Sequence, residues 1–154
     1  MKRIKGEITV DAPLGVVEAV GRDAKTWPEW NTALKRVVAS DDFPQEGSTV
    51  EMSYELSGFK LTLPMVATAY APGDKMELSF ETSFVSGKNI WQYGPREDGM
   101  TDLACVLEYE IPGGQIGEMI YKGIIERMLA DTLADMLENL ADVAEQRAAE
   151  RVAA

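Results

Sequence analysis

From Gln115 to about Ala148 the chain carries no proline, and Ile116, Ile120, Ile124, Met128, Leu133, Met136, Leu137, Leu140 and Val143 keep a helical apolar stripe. The pattern predicts one long amphipathic helix of about 50 Å at 1.5 Å per residue. Such a helix needs a surface to cover its stripe, and most of the chain before it alternates with the period of β-strands. A single sheet with one apolar face and one striped helix must bury those surfaces on each other, so the expected class is α+β. At 154 residues the chain has the usual size of one domain, and 1–154 is read as one.

The strands follow from alternation and turn residues. Ile4, Gly6, Ile8 and Val10 alternate with Lys5, Glu7 and Thr9, a strand with one buried and one wet face. Asp11-Ala12-Pro13 stops it, with Asp11 or Ala12 near a helix cap and Pro13 in the first turn of a short helix that ends near Gly21. Pro28, in Trp27-Pro28-Glu29-Trp30, suits the first turn of a second small helix. A second strand is expected from Leu34 to about Ala39, and Asp41 to Ser48 is a polar connection.

From Val50 the chain reads as a meander. Val50, Met52, Tyr54 and Leu56 form one strand face, Gly58 turns, and Phe59, Leu61 and Leu63 return. Pro64 inside the return strand implies a bulge or an unpaired edge position. Met76, Leu78 and Phe80 mark the next strand, between turns read at Pro72-Gly73-Asp74 and Ser86-Gly87-Lys88. Trp91 and Tyr93 share a face of the sixth strand, and Arg96 to Met100 is the last hairpin loop. Leu103, Cys105, Leu107, Tyr109 and Ile111 line one face of the seventh strand, which Pro112-Gly113-Gly114 ends. The last turns of the long helix, from Arg147, are expected to fray.

Charge and composition narrow the function. A net charge of −11 repels phosphate backbones and anionic lipid surfaces, so no nucleic-acid partner is expected. With no histidine there is no Ser-His-Asp triad, no His-activated cysteine and none of the commonest zinc sets. Asp41 and Asp42 form an isolated pair without the spacing of a calcium loop, so neither metal nor other cofactor is expected. The single cysteine, Cys105, has no internal disulfide partner, and on a buried strand face its thiol should be inert. Gly6, Glu7 and Thr9 interrupt what a signal peptide would need after the basic start. No run approaches the roughly 18 apolar residues of a membrane span. The expected location is the cytoplasm.

Particular residues then resemble a known group. Ile8-Thr9-Val10-Asp11-Ala12-Pro13 with Val16 and Val17, then Asp23 and Trp27-Pro28-Glu29-Trp30-Asn31, and finally Glu108-Tyr109-Glu110-Ile111-Pro112-Gly113-Gly114 before Ile116-Gly117, resemble the START-like superfamily of bacterial polyketide cyclases and the birch pollen allergen. The resemblance covers essentially the whole chain. It implies a helix-grip fold: seven curved antiparallel strands wrapped around the C-terminal helix, two short helices between the first two strands, and a cavity between sheet and helix.

On that reading the partner is a small hydrophobic molecule, lipid-like or aromatic. The expected ligand-binding set is Trp30, Tyr54, Phe59, Leu61, Leu63, Phe80, Trp91, Tyr93, Leu107 and Tyr109, facing Ile120, Ile124 and Met128. Each is by composition equally a core residue. Trp27 and Trp30 are anchors for the small helices, with a rim position open to Trp30. Met119, Met128 and Met136 are adaptable fillers, Gly123 allows close packing, and Glu118, Glu126, Asp131, Asp135, Glu138 and Asp142 form a solvated face, with Glu118 spaced to pair with Lys122.

The alternative function is an aromatase/cyclase-type enzyme using cavity tyrosines such as Tyr54 and Tyr93. Its relatives tend to carry arginine in the cavity, whereas Arg96 lies near a strand end here and the facing of Arg36 is open. A quinone-binding chaperone ranks lower, because Trp27-Pro28-Glu29-Trp30 sits closer to the cyclase-like branch. Monomer and dimer are both compatible with the pattern.

Overall fold

In the computed structural model the described residues are 1–56, 58–82, 85–111 and 116–153, without the side chains of Leu56, Phe59, residues 116–125, Met128 and Ala153. The chain runs β1 (Lys2–Val10), α1 (Leu14–Arg22), a 3-10 turn (Ala24–Thr26), α2 (Trp27–Trp30), β2 (Leu34–Ala39), β3 (Thr49–Leu56), β4 (Phe59–Ala71), β5 (Lys75–Glu81), β6 (Ser86–Pro95), β7 (Thr101–Glu110) and α3 (Ile116–Ala153). The strands form one antiparallel sheet ordered β1-β7-β6-β5-β4-β3-β2. All neighbours from β2 to β7 are consecutive hairpins, and β1 closes on β7 at the far side.

The register shows why one face is apolar. Val50 pairs with Met65 and Met65 with Phe80, Met76 with Trp91 and Trp91 with Cys105, and Ile8 with Leu103. Paired positions share a face, so these residues line the inner side with Val10, Met52, Leu63, Leu78 and Tyr109. Most of them are buried. The hairpin glycines Gly58 and Gly73 have φ of 79° and 74°, a region that favours glycine.

Against this side lies α3. Leu133, Leu137, Leu140, Ala141 and Ala144 are buried on it, each leucine contributing about 1.5–3 kcal/mol of burial. Gly6 permits the crossing over β1, since a Cβ there would stand 2.6 Å from Leu137 Cδ1. Polar links fix the angle: Asp11 N–H donates to Glu145 Oε1 at 3.0 Å, Asn139 Nδ2 to the Trp30 carbonyl at 3.3 Å, and Arg147 to Glu29 at 2.9 Å. The helix extends to Ala153, with the Arg147–Glu29 ion pair in its last turns. Asp131, Asp135, Glu138 and Asp142 are exposed, while Glu126 is half-buried beside Lys2. Glu118, Lys122, Gly123 and Met119 lie outside the residues whose side chains are described. Among the described residues no helix is long and apolar enough to cross a membrane.

Two local expectations are corrected, at residues 86–88 and at Pro13, and at Pro64 the unpaired position is realised rather than the bulge. Ser86, Gly87 and Lys88 are not a turn; they open β6, paired with Glu81, Phe80 and Ser79. Thr82 N–H instead donates to the Val85 carbonyl at 2.8 Å. A Cβ on Gly87 would overlap the Glu108 carbonyl oxygen and stand 2.8 Å from Tyr109 Cα, so this glycine serves a close strand approach. Pro64 sits in unbroken register with Glu51, the bulge falls between Ala67 and Ala69, and the ladder to β5 starts at Met65, so its missing N–H lies just past that ladder's end. Pro13 occupies the N-cap of α1 and not its first turn.

Candidate functional site

The small helices are held by aromatic packing. Trp27 Nε1 donates to the Gly21 carbonyl at 2.9 Å, and its ring meets Trp30 at 6.2 Å and Phe43 at 5.6 Å between centroids. Trp30 reaches inward to Trp91, edge to face at 5.7 Å. The anchoring expected of both tryptophans is therefore present, and Trp30 also touches the inner face of β6.

A chain of polar contacts starts at that pair. Trp91 Nε1 donates to Asn89 Oδ1 at 2.7 Å, and Asn89 Nδ2 donates to Cys105 Sγ at 3.1 Å and to the Val106 carbonyl at 3.3 Å. Asn31 Nδ2 donates to Tyr54 Oη at 3.4 Å, and Tyr54 Oη gives its proton to Met52 Sδ at 3.4 Å, a weak acceptor. By register Tyr54, Tyr93 and Cys105 all lie on the inner face of the sheet, and Cys105 contributes to raising both tyrosines.

Burial shapes the chemistry there. Desolvation pushes the Tyr54 phenol up to about 12, partly opposed by the Asn31 hydrogen bond. The Cys105 thiol is also pushed up to about 12 by burial, in line with the inertness expected of it. Burial raises Tyr93 and Tyr109, with the nearby carboxylates of Glu18 and Glu126 respectively adding to the effect. Trp30 Nε1, Tyr93 Oη and Tyr109 Oη are buried without a hydrogen-bond partner among the described residues.

The expected binding residues separate into groups. Tyr54, Leu61 and Leu107 face inward by register yet are only half-buried, as is Asn89. Leu63, Phe80, Trp91 and Trp30 are fully buried around them. Tyr93 lies at the α1 end with its hydroxyl against Gly21, and Tyr109 lies towards α3 near Glu126. Phe59, Ile120, Ile124 and Met128 fall outside the described side chains.

Two polar groups carry no signal in the simple apolar pattern. Asn89 shares the face of Trp91 and Tyr93 by alternation, but reading residues 86–88 as a turn hides it. Glu18, only 3% exposed, sits among the apolar residues of α1. It accepts a 2.7 Å hydrogen bond from Tyr70 Oη and pairs with Arg22, clamping α1 to β4.

Two depressions are open to solvent. A groove of about 640 Å³ opens over the outward side chains of Val38, Glu51, Pro64, Val66 and Glu81, on the side of the sheet away from α3. A smaller one of about 120 Å³ lies between α3 and the α2–β2 connection, lined by Trp30, Asn31, Asp135, Met136 and Asn139. The smaller one adjoins the polar contacts of Trp30 and Asn31, whereas the larger is remote from them.

The same architecture recurs in solved structures. A protein of Thermus thermophilus is 14% identical with a TM-score of 0.77, covering 93% of this chain and 97% of its own. The Zhui aromatase/cyclase from Streptomyces sp. R1128 is 16% identical with a TM-score of 0.74, covering 95% and 94%. The di-domain ARO/CYC StfQ from the steffimycin biosynthetic pathway is 18% identical with a TM-score of 0.78, covering 96% of this chain and 52% of that one. At such identities the likeness is one of fold. A comparison with curated proteins found no match. The family model described as polyketide cyclase / dehydrase and lipid transport matches residues 1–145, and with that match spanning nearly the whole fold, the chain belongs to this family.

Proposed function

We propose that the chain binds a small hydrophobic molecule between the inner face of the sheet and α3, with Trp30, Tyr54, Leu61, Asn89, Trp91 and Leu107 contributing to the lining. The observation that carries this reading is Tyr54. Its phenol is desolvated enough to be pushed up to about 12, yet the side chain retains accessible surface, as do Leu61, Asn89 and Leu107. A side chain surrounded by protein but not sealed by it is what the wall of an internal space requires. Trp30, Trp91 and Tyr54 supply flat apolar surface suited to an aromatic or lipid-like occupant.

Binding is favoured over catalysis by the same chemistry. A phenol with so high a pKa donates a hydrogen bond but is a poor general base near neutral pH. The inward-facing strand residues that are described include no aspartate, glutamate or arginine, and their one lysine, Lys2, is exposed at the start of β1 and engaged by Glu126. The test is native mass spectrometry of freshly purified protein, then thermal unfolding across a panel of lipids and polyphenols. A stoichiometric apolar passenger, or a ligand-dependent rise in Tm, is expected. An empty protein that no compound stabilises refutes the reading.

A further inference from the structure

The charges around this interior restrict what enters it, an inference that rests on the binding reading above. Of the four buried polar atoms left without a hydrogen-bond partner among the described residues, three can donate: Trp30 Nε1, Tyr93 Oη and Tyr109 Oη. The fourth is an anionic acceptor, Glu126 Oε1. Tyr54 adds a hydroxyl whose proton rests on a thioether, which a carbonyl oxygen would outcompete. Among the described residues the interior is therefore short of free acceptors.

It is also short of free positive charge among the described residues. Among the described inward strand positions the cation is Lys2, opposite Tyr109 at the start of β1 and engaged by Glu126, and Arg22 is engaged by Glu18 outside the Tyr54 region. Carboxylates stand near both outlying phenols, Glu18 by Tyr93 and Glu126 by Tyr109. A ligand carboxylate would lose its hydration without a counter-charge and meet these like charges, inside a protein of net charge −11. A ligand ammonium would lose hydration as well, and the two carboxylates near the interior are already beside cations, Glu18 with Arg22 and Glu126 with Lys2.

We propose that the occupant is uncharged and carries a carbonyl or similar acceptor oxygen, taken by Tyr54 Oη and Trp30 Nε1. Polar interior groups thereby select among molecules that the apolar walls would accept alike. Neutral ketones and esters bind, and free fatty acids or aromatic acids of the same skeleton do not.

The experiment is isothermal titration calorimetry at pH 8 on two matched series. One contains 2-acetylnaphthalene, 2-ethylnaphthalene, 2-naphthoate and 2-naphthylmethylamine; the other contains 2-octanone, octane, octanoate and octylamine. In at least one series the ketone should bind about tenfold more tightly than the hydrocarbon, the advantage of one well-made hydrogen bond. The carboxylate should bind about a hundredfold more weakly than the ketone, or worse. Tyr54→Phe should reduce the ketone's advantage, whereas Tyr70→Phe, whose hydroxyl is bound to Glu18 on the α1–β4 clamp, should leave it unchanged. Equal binding of ketone and hydrocarbon, or binding of the acid or amine within tenfold of the ketone, overturns the proposal but leaves the binding function standing. Failure of all eight compounds overturns both.

Discussion

Alanine at Gly21 tests how α1 is seated on the sheet. A Cβ at this position would fall well inside van der Waals contact distance of the Tyr93 hydroxyl and 3.1 Å from its Cζ. Neither partner yields easily, because Tyr93 is 6% exposed and α1 is held by the Trp27 to Gly21 hydrogen bond and the Glu18 to Tyr70 contact. Overpacking of this kind costs about 1–3 kcal/mol. The better helix propensity of alanine offsets up to about 1 kcal/mol of it.

Tyr93→Phe removes a buried hydroxyl that has no partner among the described residues, so by itself it should be nearly neutral or slightly stabilising. It also removes the atom that the new methyl group strikes, leaving a tight but tolerable 3.1 Å approach to the ring. The double variant should therefore recover most of the loss, with a coupling of about 1–2 kcal/mol. Urea unfolding followed by tryptophan fluorescence reads all four proteins, provided the m-value stays constant. If the two changes simply add, the seating of α1 over Tyr93 is wrong.

Gly87→Ala should destabilise by about 3 kcal/mol or more, because the new methyl group would run into β7 backbone at Glu108 and not into a movable side chain. An unchanged urea midpoint would refute the β6–β7 register. Stability should also fall in alkali. The ordinary thiol and phenol values are 9.0 and 10.0, while folding holds Cys105 and Tyr54 at about 12. Above pH 9 the unfolded chain thus binds fewer protons than the folded one, so stability complete below that pH is lost as pH rises towards 12. The slope should be about 1 kcal/mol per pH unit above pH 9, steepening above pH 10. Urea midpoints from pH 8 to 11 check this, Cys105→Ala should remove the first part of the slope, and a flat profile refutes it.

The fold is legible because its apolar residues obey two clean periods. Alternation through Ile4 to Val10, Met76 to Phe80 and Leu103 to Tyr109 places each strand, and the proline-free stripe places α3. Errors arise where one residue type serves two purposes. Gly87 reads as a turn former, but the close strand approach that also requires glycine is visible only once β7 is beside it. Pro64 is compatible with two strand contexts, and only the end of the β4–β5 ladder distinguishes them.

The candidate site is less legible than the fold. Core and pocket wall draw on the same side chains, so Phe80, fully buried, and Leu107, half-buried, look alike in a one-dimensional pattern. Separating them requires curvature, which places Tyr54 near Cys105 from the other side of the sheet. Asn31 and Asn89 gain their meaning from the side chains opposite them, contacts that span 23 and 16 residues.

The sheet order also fixes a sequence of events in time. β1 is the first strand to be synthesised, yet its only sheet neighbour is β7, the last. Val10 pairs with Thr101, so closing this contact brings together points about 90 residues apart, at an entropic cost on the order of 4 kcal/mol. At about 5–20 residues per second a ribosome leaves β1 unpaired for roughly 5–20 s while the hairpins from β2 onward form beside it. Arg3, Lys5 and Glu7, alternating with Ile4 and Ile8, keep that waiting strand charged on one side and discourage association with neighbouring nascent chains.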